Sequence, residues 1–365
     1  RGAVAPPIYQ TATFTSQPGE SYDEIRYARL NNTPNHEAIH EKISAIAGGE
    51  ACVVTASGMA AISTALLTVL KSGDHLLVQD CLYGGTHSLL VEDLRDIGVT
   101  FSVVNGRSPE SWEAALRPET KAFYVESITN PTLDVACLKE AAAFASSRGL
   151  VSLIDNTFCS PVNFRPLEHG FDLELHSATK YLNGHSDIVA GCVIGSHDLI
   201  KRVTRRLNHL GGCLDPHACF LLHRGLKTLS LLVGQQNANG LQLANHLEAH
   251  SGIDRVIYPG LSSHPDHERA ASLFSGFGGV LSFEVAGGVD AADRLIAELK
   301  LPMFAPSLGG VETLITRPVL TTHSGLTPVE REAAGITDAL VRIACGVEAA
   351  EDLCEDFDQA LSRIQ

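Results

Sequence analysis

The chain has 365 residues, 44% of them hydrophobic, 19% charged and 6% aromatic, a composition suited to an α/β protein with one large domain and a smaller one. A chain of this length buries most of its unfolded surface and needs neither disulfides nor a metal to complete its core. The formal net charge of −15 argues against a nucleic-acid backbone or an anionic membrane surface as partner, so any anionic ligand must meet a local cluster of positive groups. No apolar run reaches the ~18 residues needed to span a bilayer, and the first residues, Arg1 to Pro7, lack the apolar core of a signal peptide. The abrupt opening leaves room for residues before Arg1. The nine cysteines (Cys52, Cys81, Cys137, Cys159, Cys192, Cys213, Cys219, Cys345, Cys354) form no CxxC pair. Their odd count and scatter read as reduced thiols in a cytoplasm-like compartment, most of them small core residues.

From Arg1 to about Asn35 the chain is polar and turn-rich, an arm that seldom packs alone and for which a neighbouring subunit is a reasonable dock. Helical and strand patterns then alternate. Helices are predicted over 36–48, 59–71 and 138–148, and strands over 74–79, 99–104, 121–125, 151–154 and 188–194. Strands alternating with helices imply right-handed crossovers and a mostly parallel sheet. A long helical stretch over 226–250 is interrupted by Gly234 and Gly240. Beyond it the pattern predicts a strand at 280–285, a helix at 291–299, a strand at 314–318 and a final helix from Glu348. The organisation read from this is an N-terminal arm and helix over 1–48, a large domain over 49–245 and a C-terminal α+β domain over 246–365.

The strongest chemical signal is the string Asp172-Leu-Glu-Leu-His-Ser177-Ala-Thr179-Lys180-Tyr-Leu-Asn-Gly-His-Ser186. An amine that is to attack an aldehyde must be accessible and partly neutral, which desolvation or a cationic neighbour arranges. The hydroxyls of Ser177 and Thr179 can donate to a phosphate. An isolated Thr-Lys pair would read as a surface lysine after a turn; the whole string does not. It resembles, position by position, the cofactor-lysine signature of the Cys/Met-metabolism enzymes that use pyridoxal 5′-phosphate (PLP), a family that includes cystathionine γ-synthases, cystathionine γ- and β-lyases, methionine γ-lyases and O-acetylhomoserine sulfhydrylases. The likeness runs over essentially all 365 residues. It implies fold type I, PLP bound as a Schiff base on Lys180, and a homotetramer built as a pair of dimers with the active site at the dimer interface.

Other segments match independently. Val151–Asp155 reads as a buried strand ending in a carboxylate, suited to a protonated pyridine nitrogen; by itself Asp155 would more often be a turn or capping residue. Thr55-Ala-Ser57-Gly58-Met59 is a strand-to-helix turn whose free amides can bind a phosphate, and the resemblance gives the backbones of Gly58 and Met59 that role. Tyr83, before Gly84 and Gly85, is implied to stack on the pyridine ring and to assist the leaving group. Tyr27 and Arg29 resemble the arm pair that reaches the phosphate of an adjoining subunit, although Asn31-Asn32-Thr33-Pro34 departs from the family's Asn-Pro-Thr. Glu126-Ser-Ile-Thr-Asn130-Pro131 matches a segment whose asparagine contacts the phenolic oxygen and the substrate carboxylate. The segment around Arg342 matches the carboxylate clamp, a task suited to a planar guanidinium, and Ser307-Leu-Gly-Gly completes the set as a substrate-binding loop.

The resemblance implies that the freed Lys180 takes the Cα proton; γ-chemistry needs a second deprotonation, at Cβ. Gly85 stands where methionine γ-lyases carry Cys, and Pro306 stands before Ser307 where bacterial γ-synthases and many γ-lyases carry Glu, a pattern similar to plant-type γ-synthases. The expectation is therefore γ-replacement or γ-elimination on a sulfur-type or homoserine-derived amino acid, with a γ- or β-lyase as the alternative. An NAD-binding oxidoreductase would share the strand–helix alternation, but no GxGxxG joins a first strand to a helix. A non-catalytic binding module on the PLP fold is the better rival, and the intact Lys180, Asp155 and Arg342 argue against it.

Overall fold

The computed structural model describes residues 2–22, 24–321, 323–325 and 327–364; Arg1 and Asp23 of the expected arm and Thr322, Leu326 and Gln365 of the C-terminal region lie outside them. Seven strands build the larger sheet: β1 Ala51–Thr55, β2 His75–Gln79, β3 Thr100–Val104, β4 Thr120–Glu126, β5 Val151–Asp155, β6 Leu173–His176 and β7 Gly191–Gly195. Their spatial order is β1-β7-β6-β5-β4-β2-β3. The pairs from β3 through β6 are parallel, and β7 alone runs antiparallel, against both β6 and β1. The mostly parallel sheet expected from the strand–helix alternation is thus present.

Both faces of this sheet are covered, so its central strands are apolar on both sides. One face carries Val53, Leu76, Val78, Tyr124, Leu153 and Leu175, packed with the helix Gly58–Val69; the other carries Val54, Leu77, Phe123, Val125 and Ile154. The second sheet has the order β10-β11-β12-β9-β8, from β8 Ile253–Ile257, β9 Val280–Val285, β10 Met303–Phe304, β11 Leu314–Thr316 and β12 Leu340–Ala344. Phe283, Val341, Ile343 and Phe357 form its core with Leu243 and Leu247.

Several boundaries differ from the sequence reading for identifiable reasons. The first helix starts at Pro34, because Thr33 caps it by accepting from the His36 amide and Pro34 occupies the first turn without needing an N–H. The helix Leu229–Glu248 is continuous through Gly234 and Gly240 and through position 245. Gly240 lies so near the Gly278 carbonyl that a Cβ would stand 2.8 Å from it, which explains a glycine there without a break. The strand expected at 188–194 begins only at Gly191, where the chain turns back against β1.

That turn depends on close backbone approach. A Cβ on Gly191 would lie 2.2 Å from the Ser57 carbonyl oxygen and 2.6 Å from Thr55 Oγ1, and those two atoms already hydrogen-bond, with Thr55 Oγ1 donating to Ser57 O at 2.7 Å. Gly191→Ala is expected to cost about 1–3 kcal/mol, the usual range for overpacking a tight site. Urea denaturation of the two proteins measures the difference, and equal midpoints would show that the turn can yield.

Candidate active site

Strands β4, β5 and β6 and the β1-to-helix turn all end on one side of the large sheet, where ligands bind in open α/β sheets. A cavity of about 330 Å³ opens there, lined by residues including Ser57, Tyr83, Asp155, Lys180, Ser307 and Arg342. Lys180 sits on the turn after β6, its amide donating to the Ser177 carbonyl at 3.1 Å. Its Nζ donates to Ser307 Oγ at 2.6 Å. Burial, reinforced by the positive charge of Arg342, lowers the lysine pKa to about 8, so that about one amine in ten is neutral at pH 7.

Arg342 projects from the middle of β12 and is 2% exposed. Its Nη1 donates to Asn130 Oδ1 and its Nη2 to the Ser307 carbonyl, each at 2.9 Å, while Nε is buried without a partner among the described residues. Burial lowers its pKa to about 10, which leaves it charged at pH 7. Ser307 therefore touches both cations, through its hydroxyl and its carbonyl. It does so at φ 108°, a conformation that costs a non-glycine residue about 1–3 kcal/mol and persists only where surrounding contacts over-determine it.

Asp155 ends β5. Its Oδ1 accepts from the Thr157 amide at 2.9 Å and from Thr157 Oγ1 at 2.5 Å. Burial raises this carboxyl above its ordinary value, against the pull of Thr157 and His176. Glu126 stands beside it in register on β4, and burial together with the Asp155 charge pushes Glu126 well above the usual carboxylate range. Glu126 Oε1 accepts from the Tyr83 amide at 2.6 Å. The Tyr83 ring reaches the cavity and is 38% exposed.

The turn between β1 and its helix is arranged for an anion. Ser57 caps the helix by accepting from the Ala60 amide at 3.0 Å, which leaves the Gly58 and Met59 amides ahead of the first helical hydrogen bonds. A Cβ on Gly58 would stand 2.8 Å from Ser177 Cβ, so only glycine lets the turn approach the lysine segment this closely. The two hydroxyls before Lys180 differ. Thr179 Oγ1 donates to the Ala190 carbonyl at 3.1 Å and accepts from the Ala190 amide at 2.9 Å, so its proton is engaged. Ser177 Oγ has no hydrogen bond among the described residues and is the hydroxyl available to a ligand.

Tyr27 and Arg29 are not brought to this cavity. Arg29 donates to the Asn208 carbonyl at 2.9 Å and to Tyr22 Oη at 2.6 Å, and its guanidinium lies over the Tyr27 ring at 5.6 Å. A larger groove of about 980 Å³ between the two sheets mixes Asp80, Asp134 and Asp254 with Arg107 and Arg255 and lacks the lysine. Sequence reasoning missed Thr157, although an Asp followed two residues later by Thr is a recognisable side-chain-to-backbone turn. It also left Glu126 without a role, since nothing local pairs that residue with Tyr83.

A partly neutral lysine, a strand-end carboxylate and free amides at a helix start fit a phosphorylated pyridine aldehyde, and the fold is that of PLP-dependent enzymes of fold type I. Residues 1–362 match the family model described as "Cys/Met metabolism PLP-dependent enzyme". The chain is 41% identical over 364 residues to cystathionine gamma-lyase of Bacillus subtilis (strain 168), covering 100% of this chain and 95% of that protein. It is 40% identical over 374 residues to L-methionine gamma-lyase of Porphyromonas gingivalis (strain ATCC BAA-308 / W83), covering 100% and 94%. Among solved structures, cystathionine gamma synthase from Xanthomonas oryzae pv. oryzae, in complex with aminoacrylate and cysteine, superposes with a TM-score of 0.96 at 36% identity, covering 100% of this chain and 94% of that one. The chain belongs to the Cys/Met metabolism PLP-dependent enzymes, and its cofactor is PLP.

The lysine environment can be tested directly in the cofactor-free protein. An amine-directed acylating reagent is expected to label Lys180 with a midpoint near pH 8, well below the value of about 10.4 for an ordinary lysine. Arg342→Met removes the neighbouring charge and should raise that midpoint. An unmoved midpoint would leave burial as the whole cause.

Proposed function

We propose that this enzyme catalyses γ-replacement or γ-elimination on a homoserine-derived or sulfur-containing amino acid, with Lys180 as the mobile base. The observation that carries the reading is the Lys180 Nζ–Ser307 Oγ contact of 2.6 Å beside a buried guanidinium: a base and a carboxylate-binding group share one small cavity. When bound, PLP supplies an aldehyde for covalent attachment and an electron-withdrawing ring. Lys180 Nζ then removes the proton from the substrate Cα, aided by its lowered pKa, and for γ-chemistry removes a second one from Cβ. Arg342 and Asn130 hold the α-carboxylate by charge-assisted hydrogen bonds. Asp155 would pair with the protonated ring nitrogen, and that positive charge would favour its ionised form against the upward push of burial. The Gly58 and Met59 amides and Ser177 take the phosphate, with Ser57 fixing their turn and Thr179 pinning the neighbouring backbone. Tyr83 would cover the ring and assist departure of the leaving group.

Gly85 and Pro306 favour the γ-reaction on a homoserine ester. A second reading, elimination from cystathionine or methionine, is favoured by the names of the relatives, which include cystathionine gamma-lyase and "Cystathionine beta-lyase MetC" of Bacillus subtilis. Product analysis separates them. A γ-synthase joins cysteine to a homoserine ester and releases the free acid; a γ-lyase releases 2-oxobutyrate and ammonia; a β-lyase acting on cystathionine releases pyruvate and homocysteine. Lys180→Ala is expected to lower the rate at least about 10²-fold, the usual scale for a lost general base; wild-type turnover in this variant would sink the assignment.

The arm supports a proposal about assembly. Tyr27 and Arg29 do not line the cavity of their own chain, so they act on a neighbouring subunit within a homotetramer. Mixing Arg29→Ala with Lys180→Ala subunits should restore activity in the hybrid site that keeps both groups. Verified mixed oligomers with no rescue would place the arm's role elsewhere.

A further inference from the structure

Beyond the roles proposed above, one buried carboxyl of the cavity, that of Glu126, is without a function. Glu126 closes β4, is 4% exposed and lines the cavity. Its carboxyl accepts from the Tyr83 amide at 2.6 Å, and its own amide donates to Gln79 Oε1 at 2.9 Å. Gln79 is the last residue of β2, where the loop bearing Tyr83 departs. Glu126 is therefore tied to both ends of the segment 79–83.

We propose that Glu126 is the residue that positions Tyr83 over the cavity, acting through the Tyr83 main chain. Its own side chain does little to fix that tyrosine. Its ring is 38% exposed, so packing holds it weakly, and its hydroxyl has no hydrogen bond among the described residues. The short helix it opens, Gly84–Ser88, has no side-chain cap. The preceding loop contains Cys81 at φ 55°, a left-handed conformation that a non-glycine residue leaves when contacts loosen. The hydrogen bond from the Tyr83 amide to Glu126 ties that end of the loop to the rigid sheet, as Asp80 ties the other end to Val104 and Gly106.

The carboxyl does this while bearing a proton. Asp155, half-buried, faces it in register from β5, and the buried Tyr124 precedes it by two residues on its own strand. Lys180 is bonded to Ser307 and Arg342 to Asn130 and Ser307, and His176 acts on Asp155. Two adjacent carboxyls so placed do not both ionise. Asp155 receives two donors from Thr157 and Glu126 receives one, so the charge belongs to Asp155 and the proton to Glu126. A neutral carboxyl keeps a carbonyl oxygen for the Tyr83 amide, and a glutamine side chain offers the same acceptor.

Two variants and two readouts test this. Glu126→Leu keeps the volume and removes the acceptor, and should lower kcat/KM per PLP-loaded site roughly 10–100-fold, the scale of one unpaired buried amide. Glu126→Gln should recover to within about threefold of the wild type on the same scale. In cofactor-free protein carrying 3-fluorotyrosine, with the Tyr83 signal assigned by Tyr83→Phe, the leucine variant should shift or broaden that resonance while glutamine leaves it in place. The proposal fails if Glu126→Gln loses as much as a charge-dependent base would, or if it displaces the Tyr83 resonance; these two results decide the matter even where the leucine variant does not fold. It also fails if a folded leucine variant keeps wild-type kcat/KM and an unmoved resonance. The activity readout rests on the function proposed above, but the fluorine measurement does not. An inactive wild type with an intact Tyr83 response would overturn that function and leave this inference standing.

Discussion

The site is organised by the burial of two cations with a single serine between them. Lys180 and Arg342 both lose hydration, which disfavours their charged forms, and each lowers its cost by donating to Ser307, one to the hydroxyl and the other to the carbonyl. Arg342 comes from the smaller sheet and Lys180 from the larger, so this contact also joins the two parts of the chain. The serine reaches both only by adopting φ 108°, and burial, reinforced by the Arg342 charge, keeps the lysine partly neutral. Strain at Ser307 and the reactivity of Lys180 are consequences of the same arrangement.

The carboxylate side of the cavity follows a complementary logic. Asp155 and Glu126 stand side by side on β5 and β4 because parallel strands in register present matched residues to the same face. Thr157 supplies Asp155 with two donors, whereas among the described residues the Glu126 carboxyl accepts from the Tyr83 amide alone. Behind them lies a second buried polar group in an apolar core: His176 Nε2 lies 2.7 Å from Glu174 Oε1, which also accepts from Asn156 Nδ2 at 2.9 Å. A buried carboxyl is tolerated only with such partners, and His176 helps hold Asp155 down.

Much of this was legible along the chain because it is local. The lysine string, the strand ending in Asp155 and the small-residue turn at Ser57–Met59 each place their chemistry within a few residues, so periodicity and residue type suffice. Strand β6 escaped notice because Glu174 and His176 interrupt its apolar pattern, although both are buried in the fold. Strand β12 escaped for the same reason, with Arg342 at its centre. The helix 229–248 was read as broken because Gly234 and Gly240 are poor helix formers, but packing of the helix against the second sheet overrides that cost.

By itself the sequence determined the alternation of strands and helices, the lysine and carboxylate that line the cavity, and the family to which the chain belongs. Each of those depends on neighbours in the chain, whose geometry the backbone sets. Only the tertiary structure decided which partners those residues meet. Ser307 bridges Lys180 and Arg342 across 127 and 35 positions, and Glu126 reaches Tyr83 across 43. Thr179 spends its hydroxyl on Ala190 while Ser177 keeps its own free, and Arg29 folds onto Asn208 away from the cavity. These pairings arise from the order of strands and the approach of two sheets, and no local propensity encodes the distance between side chains that far apart in the chain.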